Sequence, residues 1–156
     1  MVLRVAAPLA GTVVPLYTVP DRVFADAIVG PGVAIEPARG SRAVTAPIAG
    51  ILVKVKPHAF VVVAPDGQAV LVHLGIDTVS LAGEGFTVLA AEGSPVAIGD
   101  PVVDWDPAAV RDRGLSPICP VVALEATAVF DAATGPIQPG QALFSVAGPG
   151  TGAPLS

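Results

Sequence analysis

Proline and glycine recur so often along this chain that no long regular element can form. There are seventeen of each among 156 residues. Proline fixes φ and removes a backbone donor, and glycine costs conformational entropy inside a helix or strand. Many long helices are thereby excluded, and short strands joined by tight turns remain, which predicts an all-β chain. Hydrophobic residues make up 53% and charged residues only 13%. A chain of this length and apolarity can bury a core of its own, and disorder over most of it is excluded. One domain is expected over residues 1–147, with the Gly-, Pro- and Ser-rich stretch 148–156 as a disordered tail.

Two internal echoes refine the fold. Ala7-Pro8-Leu9-Ala10-Gly11 returns as Ala46-Pro47-Ile48-Ala49-Gly50, each followed by a β-branched run. The segments from Gly93 to Val103 and from Gly135 to Phe144 both read as strand, Gly-Asp or Gly-Gln turn, and strand. Recurring hairpins of this type predict an antiparallel β-sandwich or flattened barrel built from related halves, with one or two short helices. A further hairpin is expected where Ala59–Val63 and Ala69–Val72 flank Pro65-Asp66-Gly67. Its strands are almost continuously apolar, which implies cover on both faces. One helix is predicted from Asp106 as N-cap to Gly114 as terminator, and a second short turn near Asp21 to Ala27.

A net charge of −5, with eight scattered basic residues, does not suit nucleic-acid binding. It fits a basic protein partner better. Cys119, alone and set in an apolar run, reads as a buried hydrophobe and cannot form an internal disulfide. The apolar N-terminus is interrupted by Pro8, Gly11 and Pro15 and shares the internal echo, so it is read as part of the fold and not as a signal sequence. No apolar run reaches the eighteen residues or so of a membrane helix. A cytoplasmic protein without membrane insertion is expected.

Only two histidines occur, and both border the central hairpin: His58 at the start of its first strand and His73 at the end of its second. If Val63 faces Gln68, positions 58 and 73 lie opposite each other on one face. A one-residue shift in register would separate them. The spacing admits both arrangements. A pair would matter chemically. A neutral imidazole offers a ring nitrogen as nucleophile, and a second can donate a hydrogen bond to the oxygens of a phosphoryl group in transfer.

The run Val72-His73-Leu74-Gly75-Ile76-Asp77-Thr78-Val79, followed by Leu81-Ala82-Gly83-Glu84-Gly85-Phe86, resembles the active-site signature of the glucose-type enzyme IIA family of the phosphoenolpyruvate-dependent sugar phosphotransferase system. His58-Ala59-Phe60 is similar to that family's second histidine motif. Further matches are Ala7–Gly11, Val19-Pro20-Asp21, Val23-Phe24-Ala25, Ile28-Val29-Gly30 and Ala46-Pro47. The resemblance implies that His73 accepts a phosphoryl group on Nε2 from the phosphocarrier HPr and passes it to a cysteine of a sugar-specific IIB domain of a membrane permease. His58 would stabilise the group in transit. Val33, Leu71 and Val79 would line an apolar depression for partners, and Asp77 would sit at its rim. Such proteins can also bind regulatory targets. Two departures stand out: Pro31 occupies a place where many members carry an acidic residue, and Lys56 stands where many carry a threonine.

Rival readings fit less well. A zinc hydrolase needs more than the two ligands His58 and His73, and a His-x-His motif is missing. An adventitious zinc, or one shared with a partner's carboxylate, remains compatible with the pair. A biotinyl or lipoyl carrier would present a lysine at a hairpin tip, which Lys54 and Lys56 are not expected to occupy. The chemistry expected of the pair calls for no cofactor and no metal.

Overall fold

The computed structural model describes residues 2–147, so the expected tail 148–156 lies outside the described residues. The strands are β1 (Val2–Ala6), β2 (Gly11–Pro15), β3 (Gly32–Pro37), β4 (Ala43–Thr45), β5 (Gly50–Lys56), β6 (Ala59–Val63), β7 (Ala69–His73), β8 (Phe86–Val88), β9 (Pro95–Val96), β10 (Pro101–Trp105), β11 (Cys119–Ala123), β12 (Val129–Phe130), β13 (Gly135–Ile137) and β14 (Ala142–Ala147). Two short helices, α1 (Arg22–Ala25) and α2 (Pro107–Asp112), start at Asp21 and Asp106, whose carboxylates accept from the N–H of Val23 and Ala108. Both helices fall where the sequence predicts them.

An antiparallel eight-stranded sheet, ordered β13-β2-β3-β11-β7-β6-β5-β9, packs on two three-stranded sheets, β1-β14-β12 and β4-β10-β8. The large sheet ends at β13 and β9, so the sandwich stays open and no barrel closes. Its inner face contributes Ile35, Leu52, Phe60, Val72 and Val121 to the core, against Val5, Val44, Trp105, Leu143 and Phe144 of the small sheets. Trp105 is fully buried and stacks on Phe86. Cys119 is buried in the same core.

The second echo does not form the expected hairpins. β9 pairs with β5 and β10 with β4, while β13 pairs with β2 and β14 with β1. Each Gly-Asp or Gly-Gln turn therefore carries the chain from the large sheet to a small one. Each Ala-Pro-(Leu/Ile)-Ala-Gly segment crosses the other way, β1 to β2 and β4 to β5. The halves lock reciprocally: Ala6 N–H donates to Pro47 O at 2.9 Å, and Thr45 N–H donates to Pro8 O at 2.8 Å. The turns close onto the crossings in parallel fashion, Gly99 N–H to Ala46 O at 3.0 Å and Gly140 N–H to Ala7 O at 2.9 Å.

The outer face of the large sheet is only partly covered. The link between β2 and β3 runs through a 3₁₀ turn at Leu16–Thr18 and then α1. It folds back to pack Leu16, Val19 and Phe24 on Ala34 and Val122. In β6 and β7 the inward residues are fully buried, but the outward ones, Ala59, Val61, Val63, Ala69, Leu71 and His73, are half-buried. The expected cover on both faces holds for one of them.

Candidate functional site

His73 ends β7 on this outer face. Beyond it the chain turns sharply through Gly75, whose φ is +77°. A Cβ there would lie 2.7 Å from Thr78 Cγ2 and 3.0 Å from Ser116 O, so the turn requires glycine. Two bonds brace the loop: Thr78 Oγ1 donates to Leu74 O at 2.7 Å, and Ile76 N–H donates to Ser116 O at 2.9 Å. The loop thereby returns the Gly75 carbonyl to the imidazole, 2.6 Å from His73 Nδ1. A carbonyl can only accept, so Nδ1 carries the proton and Nε2 of the neutral ring holds a lone pair.

Phe24 packs against one side of that ring, with centroids 5.1 Å apart, and His58 lies edge-on to it at 5.3 Å. The pairing of the histidines does not come from the strand register. Ala59 stands opposite His73, and Val63 opposite Ala69. That is a shift of one from the pairing that would set 58 against 73. His58 is moreover not the first residue of β6. With Pro57 it forms the tight link between β5 and β6, where Lys56 pairs with Ala59. Released from the pleat, its ring is free to swing to the outer face, while its carbonyl accepts from Leu74 N–H at 2.7 Å. Lys56, expected away from any hairpin tip, directly precedes this link.

Burial pushes the His73 pKa down, although the bond to Gly75 and the negative charges of Asp21 and Asp77 pull the other way. The His58 pKa is also lowered, first by burial and then by the charges of His73 and Lys56. Both rings are accordingly neutral near pH 7. Neutral His73 presents a nucleophilic nitrogen, and neutral His58 can donate one hydrogen bond.

The other expected positions divide. Asp77 is exposed, in the left-handed region at φ +61°, and acts electrostatically on His73. Leu71 shares the outer face with His73, and Val79 projects from the 3₁₀ turn Thr78–Leu81 at 66% exposure. Val33 does not belong with them. It is 6% exposed and packs in the inner core. Strand alternation turns Ala34 outward in its place, onto the cluster with Phe24 and Val122. Sequence reasoning gave no role to Phe24 or Gly75, although both lie in the quoted motifs. Among the described residues no group of three His, Cys, Asp or Glu side chains converges as a metal site. An ion held by His58 and His73 would need further ligands from another molecule. No described helix is long and apolar enough to cross a membrane.

Comparison with known proteins identifies relatives of the chain. Residues 3–129 match the family described as phosphoenolpyruvate-dependent sugar phosphotransferase system, EIIA 1. The chain is 43% identical over 129 residues to a PTS system glucose-specific EIIA component of Halalkalibacterium halodurans, covering 80% of this chain and 73% of that protein. It is 41% identical over 120 residues to a glucose-specific EIIBCA component of Corynebacterium glutamicum, of which it spans 18%. Among solved structures, glucose permease IIA from Mycoplasma capricolum superposes with a TM-score of 0.86 at 32% identity, covering 93% of this chain and 96% of that one.

Proposed function

Because the chain belongs to the EIIA 1 family of the phosphoenolpyruvate-dependent sugar phosphotransferase system, we propose that it carries a phosphoryl group on His73 Nε2, taken from HPr and passed to a cysteine of a sugar-specific IIB domain. The observation that carries this reading is the 2.6 Å bond from Nδ1 to the Gly75 carbonyl. It directs the proton to Nδ1, away from the nitrogen that must attack, and it holds the ring in place during attack. As the new P–Nε2 bond forms, the donor's bond to phosphorus breaks and its electron pair stays with the donor. His73 gives up no proton, because Nε2 carried none. His58 supplies a donor to the phosphoryl oxygens during transfer, where positioning and charge stabilisation provide most of the catalysis. Passage to the IIB thiolate repeats the exchange, with the electron pair returning to Nε2.

The half-open apolar face of β6 and β7 supports docking of both partners, with Leu71 beside the histidines, Val79 beyond the loop and Asp77 as an exposed charge. A relative named as an EIIBCA component supports a IIB acceptor. Incubation with phosphoenolpyruvate, enzyme I and HPr tests the reading. Acid-labile label is expected on the native chain, none on His73→Ala, and label that is accepted but not delivered to a IIB domain on His58→Gln. Labelled His73→Ala would assign the acceptor elsewhere.

A further inference from the structure

Lateral rows of the large sheet put a permanent cation on the same face as the histidine pair. Lys56 of β5 stands opposite Ala59 of β6, and Ala59 stands opposite His73 of β7. Directly opposed residues point to the same side of a sheet. In the next row Lys54 stands opposite Val61, and Val61 opposite Leu71. The lysines reach this face through an irregularity. Leu52 is fully buried in the core, so a regular strand would send Lys54 and Lys56 inward as well. The register shifts between Leu52 and Lys54, and the bulge at Val53 absorbs one residue. Val55 then packs against the core, and both lysines turn out.

In this lateral row Ala59 is the one residue between Lys56 and His73. Neighbouring strands lie about 4.8 Å apart, so the two backbones are separated by roughly twice that, and a lysine stem laid over alanine spans most of it. The charge of Lys56 is felt by the His58 ring. Among the described residues every ion pair is made by an arginine. Arg22, the cation on the covering segment, is turned toward Asp26 at 3.7 Å.

We infer that Lys56 is a ligand of the travelling phosphoryl group, its ammonium contacting the equatorial oxygens from the side opposite Asp77 while His58 donates from the turn. This deepens the phosphocarrier reading and rests on it. With both imidazoles neutral and the charges of Asp21 and Asp77 negative, this part of the site would without Lys56 offer the anionic group dipoles but no positive charge. Neither proton nor bond is exchanged at Lys56, which acts by charge and hydrogen bonding alone.

Two phosphoryl donors separate contact with the group from contact with the protein partner. Native protein, Lys56→Met and Lys56→Arg are each labelled by phospho-HPr and by the small molecule phosphoramidate, with thermal unfolding as a check on folding. Lys56→Met is expected to accept about tenfold more slowly from both donors, the lower end for a charge-assisted hydrogen bond. Lys56→Arg should recover most of the rate. Slowing with phospho-HPr alone makes Lys56 a docking residue and overturns the inference, as does an unchanged rate with both. The underlying reading fails separately, if phospho-HPr leaves native protein unlabelled while phosphoramidate labels it.

Discussion

Strands β2 and β5 leave equivalent glycines and enter the same sheet, yet they diverge after a few residues. A Cβ on Gly11 would meet Glu36 O at 2.2 Å, and one on Gly50 would meet Val63 O at 2.0 Å, so both crossings depend on the same close backbone approach. Val13 and Leu52, two residues on, both point into the core. Then β2 reaches Pro15, which fixes φ, and the chain turns into the segment that lays Phe24 on His73. β5 instead bulges at Val53 and ends in the Pro57–His58 link. The shared part of the halves builds the sandwich, and both departures from symmetry converge on one histidine. Function here occupies the places where the repeat is broken, and the repeat supplies the rigid frame around them.

The comparison is open to direct tests. Its largest expected effect is on the shared frame. Gly11→Ala and Gly50→Ala should each cost at least about 3 kcal/mol, because the clash is with a partner strand's backbone and no side chain can move aside. Urea unfolding measures both, and a mild effect in one half alone would break the equivalence. The next test falls on a departure. Phe24→Ala should cost roughly 2–3 kcal/mol, less than a ring enclosed on all sides. It should also raise the His73 pKa toward its ordinary value as burial is lost, read by imidazole proton shifts. With folded values below the unfolded one, the unfolded chain binds more protons, so native stability is fully present above about pH 6.5 and is lost as pH falls toward the folded values. That acid-side loss should be shallower in Phe24→Ala. The smallest effect lies in the return turns, where Asp100 Oδ2 accepts from Ala97 N–H and Gln141 Oε1 from Gln138 N–H, both at 2.8 Å. Asp100→Ala and Gln141→Ala should cost about 0.5–1 kcal/mol each, and unequal losses would sharpen where the halves differ.

Much of the architecture was legible because it depends on local chemistry. Frequent Pro and Gly forbade long helices, and Asp106-Pro107 and Asp21 announced helix starts through capping that involves only adjacent residues. The echoes exposed related halves. What they could not show was that the return segments bridge layers, because a strand-turn-strand pattern reads alike whether the strands pair with each other or with distant partners. The site was legible as a motif around His58 and His73 but not as a geometry. Val33 was expected at the depression from the resemblance alone, whereas the alternation of Val33 and Ile35 with Ala34 and Glu36 along β3 sets it on the inner face.

Local chemistry was enough to specify an all-β chain with two histidines flanking one hairpin, because turn chemistry, helix capping and apolar content act within a few residues of their cause. Tertiary structure alone decided that the rings meet. The register came out one residue away from the pairing that would align them, and the Pro57–His58 link, the Gly75 turn and the covering segment with Phe24 together brought them into contact. Each of these depends on partners far along the chain, and a shift of one residue in a strand exchanges the two faces of a sheet.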